Sequence, residues 1–284
     1  MDVIRPGKEQ LFRKTFTFSR LYLPILALLV AVAASGCGAS SEDQAGGSTN
    51  VNQCSFQPLP ATDATFQRDI TGGELMLGIT SATGPGSYAI DFCMTKPHIP
   101  GINGVRADIR HTVATVGSSD ANLLLLPYET TGGDLIFTEI YVNESGQVLH
   151  AVERCDVNDN CTIFRSPADP PNPIVTGAFN TPLNLSIVWD GINTLTYTVI
   201  GPPSGSATFT MDTTANPIVS QQLTHNDIVI GVFASGGAGN AVGIFDNVEI
   251  TTDNGSSWSL HDGFPADTVS FTGGNTWTFI EGLD

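Results

Sequence analysis

Beyond residue 53 the chain alternates between two kinds of segment. Short runs rich in Val, Ile, Thr, Phe and Tyr are separated by clusters of Gly, Pro, Asn and Asp, and no stretch keeps a helical period. Eleven runs read as strands: 74–80, 87–93, 105–116, 121–128, 134–142, 147–155, 183–189, 194–200, 207–211, 227–234 and 242–251. The clearest puts Leu183, Leu185, Ile187 and Trp189 on one face and Asn184, Ser186 and Val188 on the other; Leu195, Tyr197 and Val199 line one face of the next run. Asp190-Gly191-Ile192-Asn193 joins these two runs, and Asn143-Glu144-Ser145-Gly146 joins another pair, both with hairpin chemistry. One apolar face per strand, repeated this often, predicts an all-β, two-sheet antiparallel β-sandwich or jelly roll over 54–252. Trp189 falls on its core side. The acidic segment 253–284 carries Trp258 and Trp277, and Thr276-Trp277-Thr278-Phe279-Ile280 reads as a last strand packed on the sandwich.

The first 36 residues follow different rules. Arg5, Lys8, Arg13, Lys14 and Arg20 precede an apolar run, Leu21 to Ala34, interrupted by Pro24. A helix of that length spans roughly 21 Å, short of the about 30 Å (some 20 residues) a bilayer core needs, so a cleaved signal peptide is expected at 1–36. Ala34-Ser35-Gly36-Cys37 resembles the lipobox of bacterial lipoproteins. That resemblance implies that Cys37 becomes the lipidated first residue of the mature chain. More than one acyl chain gives stable membrane attachment. Gly38 after the cysteine, by resemblance to enterobacterial lipoproteins, implies the outer membrane. The alternative is an ordinary secretory signal cut near Ala33 or Ala34, with Cys37 a plain residue. Residues 37–53 are polar and Gly/Ser-rich, the composition of a flexible tether.

Charge narrows the partners. The 284 residues carry 11 Lys and Arg against 28 Asp and Glu. Residues 1–36 hold five of those basic groups and two of the acidic ones, leaving the mature part at a net −20. Such a surface repels nucleic acid and anionic headgroups. It suits solvation, divalent cations or basic partners, solvation being the simplest reading.

Four further cysteines, Cys54, Cys93, Cys155 and Cys161, make an even number for an oxidising compartment. Three pairings are open. Cys155 and Cys161 bracket a short polar loop and are assigned to each other, leaving Cys54 with Cys93. Paired C-x-x-C knuckles are missing, so zinc is not the expectation. Asp156, Asn158, Asp159 and Asn160 crowd oxygen atoms into the Cys155–Cys161 loop. The D-x-N-x-N start resembles an EF-hand loop, but Cys161 stands at the glycine position and no Glu follows at the right distance. A disulfide-closed polar turn is the favoured reading; calcium on Asp156, Asn158 and Asn160 is the alternative, with Asp246 and Asn247 a second, weaker place for it.

The run 183–191 with 195–199 looks like the W-D-G hairpin of concanavalin A-like, laminin-G-like jelly rolls. Gly243-Ile244-Phe245-Asp246-Asn247-Val248-Glu249-Ile250 is similar to the F-D-N-V strand that closes such domains. Arg154-Cys155 with Cys161 resembles a cysteine hairpin of some secreted bacterial members. The likeness covers about 64–251. It implies a concave sheet that often binds glycans, sometimes with calcium at its rim, and no single activity.

Catalytic patterns are scarce. Glycosidases need two carboxyls flanking the scissile bond, and the clustered Glu-x-Asp-x-x-Glu strand of laminarinase-like enzymes is absent. Glu139, Glu144 and Glu153 with Asp156 are the nearest acids; Glu139 and Glu144 read as solvated strand and turn residues. His150 and Glu153 form H-x-x-E, but odd spacing on a strand sends them to opposite faces. His98, His111, His225 and His261 are scattered, and no G-x-S-x-G elbow occurs. Aromatic side chains stack on sugar faces, and Tyr141, Trp258 and Trp277 are the candidates. The expectation is therefore a non-catalytic, lipid-anchored envelope module that binds carbohydrate. The alternatives are a scaffold or adhesin that binds another envelope protein and, less favoured, a divergent glycosidase or lyase.

Overall fold

The computed structural model describes residues 55–59, 65–82, 88–95, 101–114, 122–130, 132–156, 161–165, 173–211, 218–219, 228–235, 239–264, 269–273 and 278–279. Every regular element among them is a strand: β1 (Ser55–Leu59), β2 (Thr65–Thr71), β3 (Glu74–Ala82), β4 (Tyr88–Thr95), β5 (Gly104–Ala114), β6 (Asn122–Thr130), β7 (Leu135–Val142), β8 (Val148–Cys155), β9 (Cys161–Arg165), β10 (Leu183–Trp189), β11 (Thr194–Ile200), β12 (Gly205–Thr210), β13 (Ile218–Val219), β14 (Ile228–Ser235), β15 (Gly239–Thr251), β16 (Ser259–Asp262), β17 (Val269–Gly273) and β18 (Thr278–Phe279). They form two antiparallel nine-stranded sheets. Sheet I runs β18-β1-β4-β14-β6-β7-β8-β9, with β13 on β6. Sheet II runs β12-β11-β10-β5-β15-β3-β2-β17, with β16 on β15. The C-terminal segment thus supplies strands to both sheets.

The two sheets stack through their alternating apolar positions. Leu75, Leu77 and Ile79 of β3, Val105, Ala107 and Ile109 of β5, and Leu185, Ile187 and Trp189 of β10 are buried from sheet II. Ile136 and Ile140 of β7, Val148 and Val152 of β8, and Ile228, Ile230 and Val232 of β14 meet them from sheet I in one core. Each fully buried aliphatic side chain of this kind contributes roughly 1.5–3 kcal/mol. A polar contact crosses the core: Thr138 Oγ1 of β7 lies 2.5 Å from Tyr197 Oη of β11. His150 of β8 lies against the same ring, 4.5 Å between centroids. Hydroxyls in such a place must pair, because an orphaned buried one costs about 1–3 kcal/mol.

Local chemistry fixes the hairpins. In the β7–β8 turn Asn143 Oδ1 accepts hydrogen bonds from the Ser145 and Gln147 amides, and Gly146 takes the left-handed φ of 69° that closes the turn. In the β10–β11 turn Asp190 Oδ1 accepts from the amides of Ile192, Asn193 and Thr194. Desolvation raises its pKa, but those hydrogen bonds outweigh it and hold the carboxyl below its usual range.

The F-D-N-V segment is a β-bulge. Phe245 and Val248 are both buried although three residues apart, so strict alternation fails between them. The register with β5 slips between Asp246 and Glu249, and Asn247 absorbs the extra residue at φ 46°, a conformation Asn tolerates better than most residues.

Seven strands go beyond the eleven expected runs. β1, β2, β9, β13, β16 and β17 are short or lie at or near sheet edges, and β18 is the central part of the anticipated 276–280 run. β2 also breaks the apolar pattern, because Arg68 is wholly buried beside Ile70.

Tyr197→Phe is expected to lower the unfolding free energy by about 1–3 kcal/mol, since Thr138 is left without its partner across the core. Leu185→Ala should cost about 2–5 kcal/mol. Urea unfolding followed by tryptophan fluorescence measures both. Losses no larger than that of the surface change Ser206→Ala would contradict this account of the core.

Candidate functional site

The outward face of β7 and β8 is unusual for the exterior of a sandwich. Alternation sends Ile136, Thr138, Ile140 and Val142 inward from β7, and Val148, His150 and Val152 inward from β8. The outward positions are therefore Phe137, Glu139 and Tyr141 on one strand and Leu149, Ala151 and Glu153 on the other. The register sets Phe137 opposite Glu153, Glu139 opposite Ala151 and Tyr141 opposite Leu149. Glu139 and Glu153 are thus diagonal neighbours, a relation that places backbones roughly 7–8 Å apart and lets long side chains approach. Leu149 is buried, and Phe137, Glu139, Tyr141, Ala151 and Glu153 are half-buried.

Two acids in such surroundings hold their protons tightly. Burial raises the Glu139 carboxyl from 4.5 to about 8, and the charge of Glu153 adds to the rise. Burial alone raises Glu153 to about 7. Glu153 Oε1 is shielded from solvent and has no hydrogen-bond partner among the described residues. Desolvation disfavours each anion and the charge of Glu153 adds to it at Glu139, so both hold protons at pH values where free carboxyls have lost them. Such a pair offers both O–H donors and carboxylate acceptors. The aromatic rings of Phe137 and Tyr141 flank it with apolar surface.

Sheet II presents a contrasting exterior. Asp108 of β5 stands opposite Asp246 of β15, yet its two oxygens accept from Asn184 Nδ2 and Asn247 Nδ2, each at 2.9 Å. Asn247 Nδ2 also donates to Asp246 at 3.0 Å. Desolvation, with Asp108 and Glu74 nearby, still raises Asp246 against the hydrogen bond from the Asn247 amide. Arg106 Nε reaches Glu249 at 2.5 Å, and its guanidinium lies 4.5 Å from the centre of the Trp258 ring. Arg110 pairs with Glu74 at 3.8 Å. At the adjacent loop, hydrogen bonds from Ser257 and Thr251 hold Asp253 at about 2. On this side most acids have a local donor.

The residues singled out from the sequence are dispersed. Trp189 is buried in the core, Trp258 is half-buried against Arg106, and Tyr141 borders the acid pair. His150 and Glu153 occupy opposite faces of β8. Cys155 stands opposite Cys161 across β8 and β9. Asp156 follows directly after β8. Cys37, Cys54, Asn158, Asp159, Asn160, His98, His225 and Trp277 lie outside the described residues, and of Cys93 only its place in β4 is described. Among the described residues no three His, Cys, Asp or Glu side chains gather in a metal-binding arrangement. Glu139 departs from the solvated role expected for it. The signal for that was present: its strand neighbours at i−2 and i+2 are Phe137 and Tyr141, too apolar for a face given over to water.

Linkage gives this pair a measurable consequence. Because the folded-state pKa is raised, the folded chain keeps protons over about pH 4.5–8 that the unfolded chain has shed. The associated stability is complete below that window and is lost as pH rises through it. Glu139→Gln removes the loss. Its stability relative to the unsubstituted protein should climb between pH 5 and pH 8 by up to a few kcal/mol, on the order set by 1.36 kcal/mol per pKa unit. Parallel stability–pH curves for the two proteins would overturn the assignment.

No protein-family model matches the chain, and no curated protein sequence matches it.

Proposed function

We propose that this protein is a bacterial envelope lipoprotein, anchored in the outer membrane through Cys37, whose jelly-roll sandwich binds carbohydrate on the outward face of β7 and β8. The observation that carries the reading is the acid pair Glu139–Glu153 set between Phe137 and Tyr141. Sugar recognition needs hydroxyl-binding groups of both polarities beside a flat apolar surface. Two carboxyls with raised proton affinity supply the first and the rings supply the second. The likeness of 183–199 and 243–250 to concanavalin A-like jelly rolls points the same way. The anchor rests on Ala34-Ser35-Gly36-Cys37 after a short apolar run. A disulfide between Cys155 and Cys161 fits their opposed register at the end of β8, and its oxidising setting matches export.

Binding is tested on an array of neutral, amino and acidic glycans, with and without calcium. The expected result is binding to a defined glycan class that Tyr141→Ala weakens by roughly 1–2 kcal/mol. An array without binding would end the carbohydrate reading. Mass measurement of the protein from a bacterial membrane fraction tests the anchor and the disulfide. The expected mass carries acyl chains that Cys37→Ser removes, and non-reduced digests yield a linked Cys155–Cys161 peptide. An unmodified cysteine or separate thiol peptides would refute each part in turn.

A further inference from the structure

We infer that β12, the end strand of sheet II, is a self-association edge: it pairs antiparallel with β12 of a second copy, Thr208 facing Thr208 across a two-fold axis, and joins the two sheets into one. Among the described residues β12 pairs only with β11. The Met211 amide donates to the Asn193 carbonyl, which sets the phase of that ladder. Residues 205, 207 and 209 therefore turn their backbone groups towards β11, and Ser206, Thr208 and Thr210 turn theirs to the open side. The side chains of those three are exposed as well. A Cβ on Gly205 would run into Val175 and Ile174, so that segment lies on the inward side of β12, away from its edge. Natural sheet edges are usually blunted by a charge, a proline or a bulge. Gly205–Thr210 contains no charged residue and no proline, and its register with β11 is unbroken. β9, the end strand of sheet I, carries Arg165 by contrast.

Charge, register and side-chain size each select a second copy as the occupant. No charged residue occurs from Gly191 to Met211, in a chain with 11 Lys and Arg and 28 Asp and Glu. Two copies this acidic repel each other, and β11 with β12 is a surface where they can meet without opposing charges of one sign. A basic partner would be drawn to the acidic faces instead. The register that engages all three edge-facing residues of both copies puts Thr208 opposite Thr208 and Ser206 opposite Thr210. Every edge-facing amide and carbonyl of the three is then paired, and hydroxyl side chains meet hydroxyl side chains on the outward face. On the inward face the same register sets Ala207 opposite Phe209 of the second copy, small against large. Phe209 is half-buried and packs against the core, so this pairing encloses more of its ring. Sliding the second copy by one repeat sets Phe209 against Phe209 or Ala207 against Ala207, and leaves a hydroxyl residue of each copy without a partner in the other. The strand is thus complementary to itself in one register.

Sedimentation velocity of the full-length protein in detergent, across micromolar concentrations, tests this. The expected result is a monomer–dimer equilibrium whose dissociation constant rises at least about tenfold in Thr208→Lys, because two ammonium groups then face each other across the axis. Thr196→Lys puts the same charge on the same face one strand further in, and Thr272→Lys puts it on β17, the uncharged strand at the other end of sheet II. Both should leave the equilibrium unchanged. Circular dichroism and thermal melts establish that the variants fold. Disulfide trapping reads the register. Thr208→Cys brings two Cα atoms to about 5.5 Å, a separation a disulfide spans, and should give a covalent dimer on oxidation that the unsubstituted chain does not. Ser206→Cys alone leaves its two thiols offset by about 13 Å along the edge and should not link, whereas Ser206→Cys combined with Thr210→Cys should. A chain that stays monomeric, a dimer equally strong in Thr208→Lys, or Ser206→Cys linking as fast as Thr208→Cys would overturn the inference. Loss of the dimer in Thr272→Lys alone would overturn it in favour of β17. Species larger than a dimer would overturn it too, because a two-fold pairing closes on itself.

Discussion

The structure depends on one constraint: every second residue of the central strands must be able to leave water. Leu75, Leu77 and Ile79 meet it on one sheet, and Ile228, Ile230 and Val232 meet it on the other, producing a single shared interior. Among the described residues one hydroxyl pair enters this interior, Thr138 with Tyr197, and its members are matched to each other across the gap. Because most inward positions are committed in this way, chemical variety is concentrated at the outward positions, the turns and the bulge, with Arg68 and His150 as buried exceptions. The candidate site lies where that outward face is least like an ordinary solvated surface.

The two exteriors handle charge differently. On sheet II, Asn184 and Asn247 donate to Asp108, and Arg106 lies between Glu249 and the Trp258 ring. These groups are partly exposed and mutually satisfied, so each contributes little to stability and little is left over for a ligand. On sheet I, Glu139 and Glu153 sit among rings and methyl groups and respond by keeping their protons. Equal numbers of acids on the two faces would not have distinguished them; the local supply of donors does.

Much of this was legible in the chain. Leu183–Trp189 and Thr194–Ile200 carry an apolar residue at every inward position, and the sequence-derived bounds of both coincide with the observed strands. The same rule assigned Trp189 to the core. It failed where another force overrode it. Arg68 puts a charge in the interior, so β2 does not read as a strand, and β1, β9 and β17, at or next to sheet edges, are too short to show a period. The site was harder still. Glu139 and Glu153 are fourteen positions apart, and only the register imposed by the Asn143–Gly146 turn makes them neighbours. Their shifted proton affinities come from packing, which no spacing rule reports.

Gly146 helps to tie the β7–β8 hairpin to the segment before β10. Its carbonyl accepts the Ala178 amide at 2.8 Å, and a Cβ at this position would lie 2.8 Å from the Phe179 nitrogen. The Phe179 ring in turn meets His111 of β5 edge-on, while Val175 bridges to Val148. The hairpin carrying both acids is therefore moored, at its bend, to a segment that leans on the opposite sheet. Any larger residue at 146 would have to displace that mooring, and the disturbance would run down the two legs of the hairpin to the acids. The glycine at the bend thereby shares control of the spacing between Glu139 and Glu153.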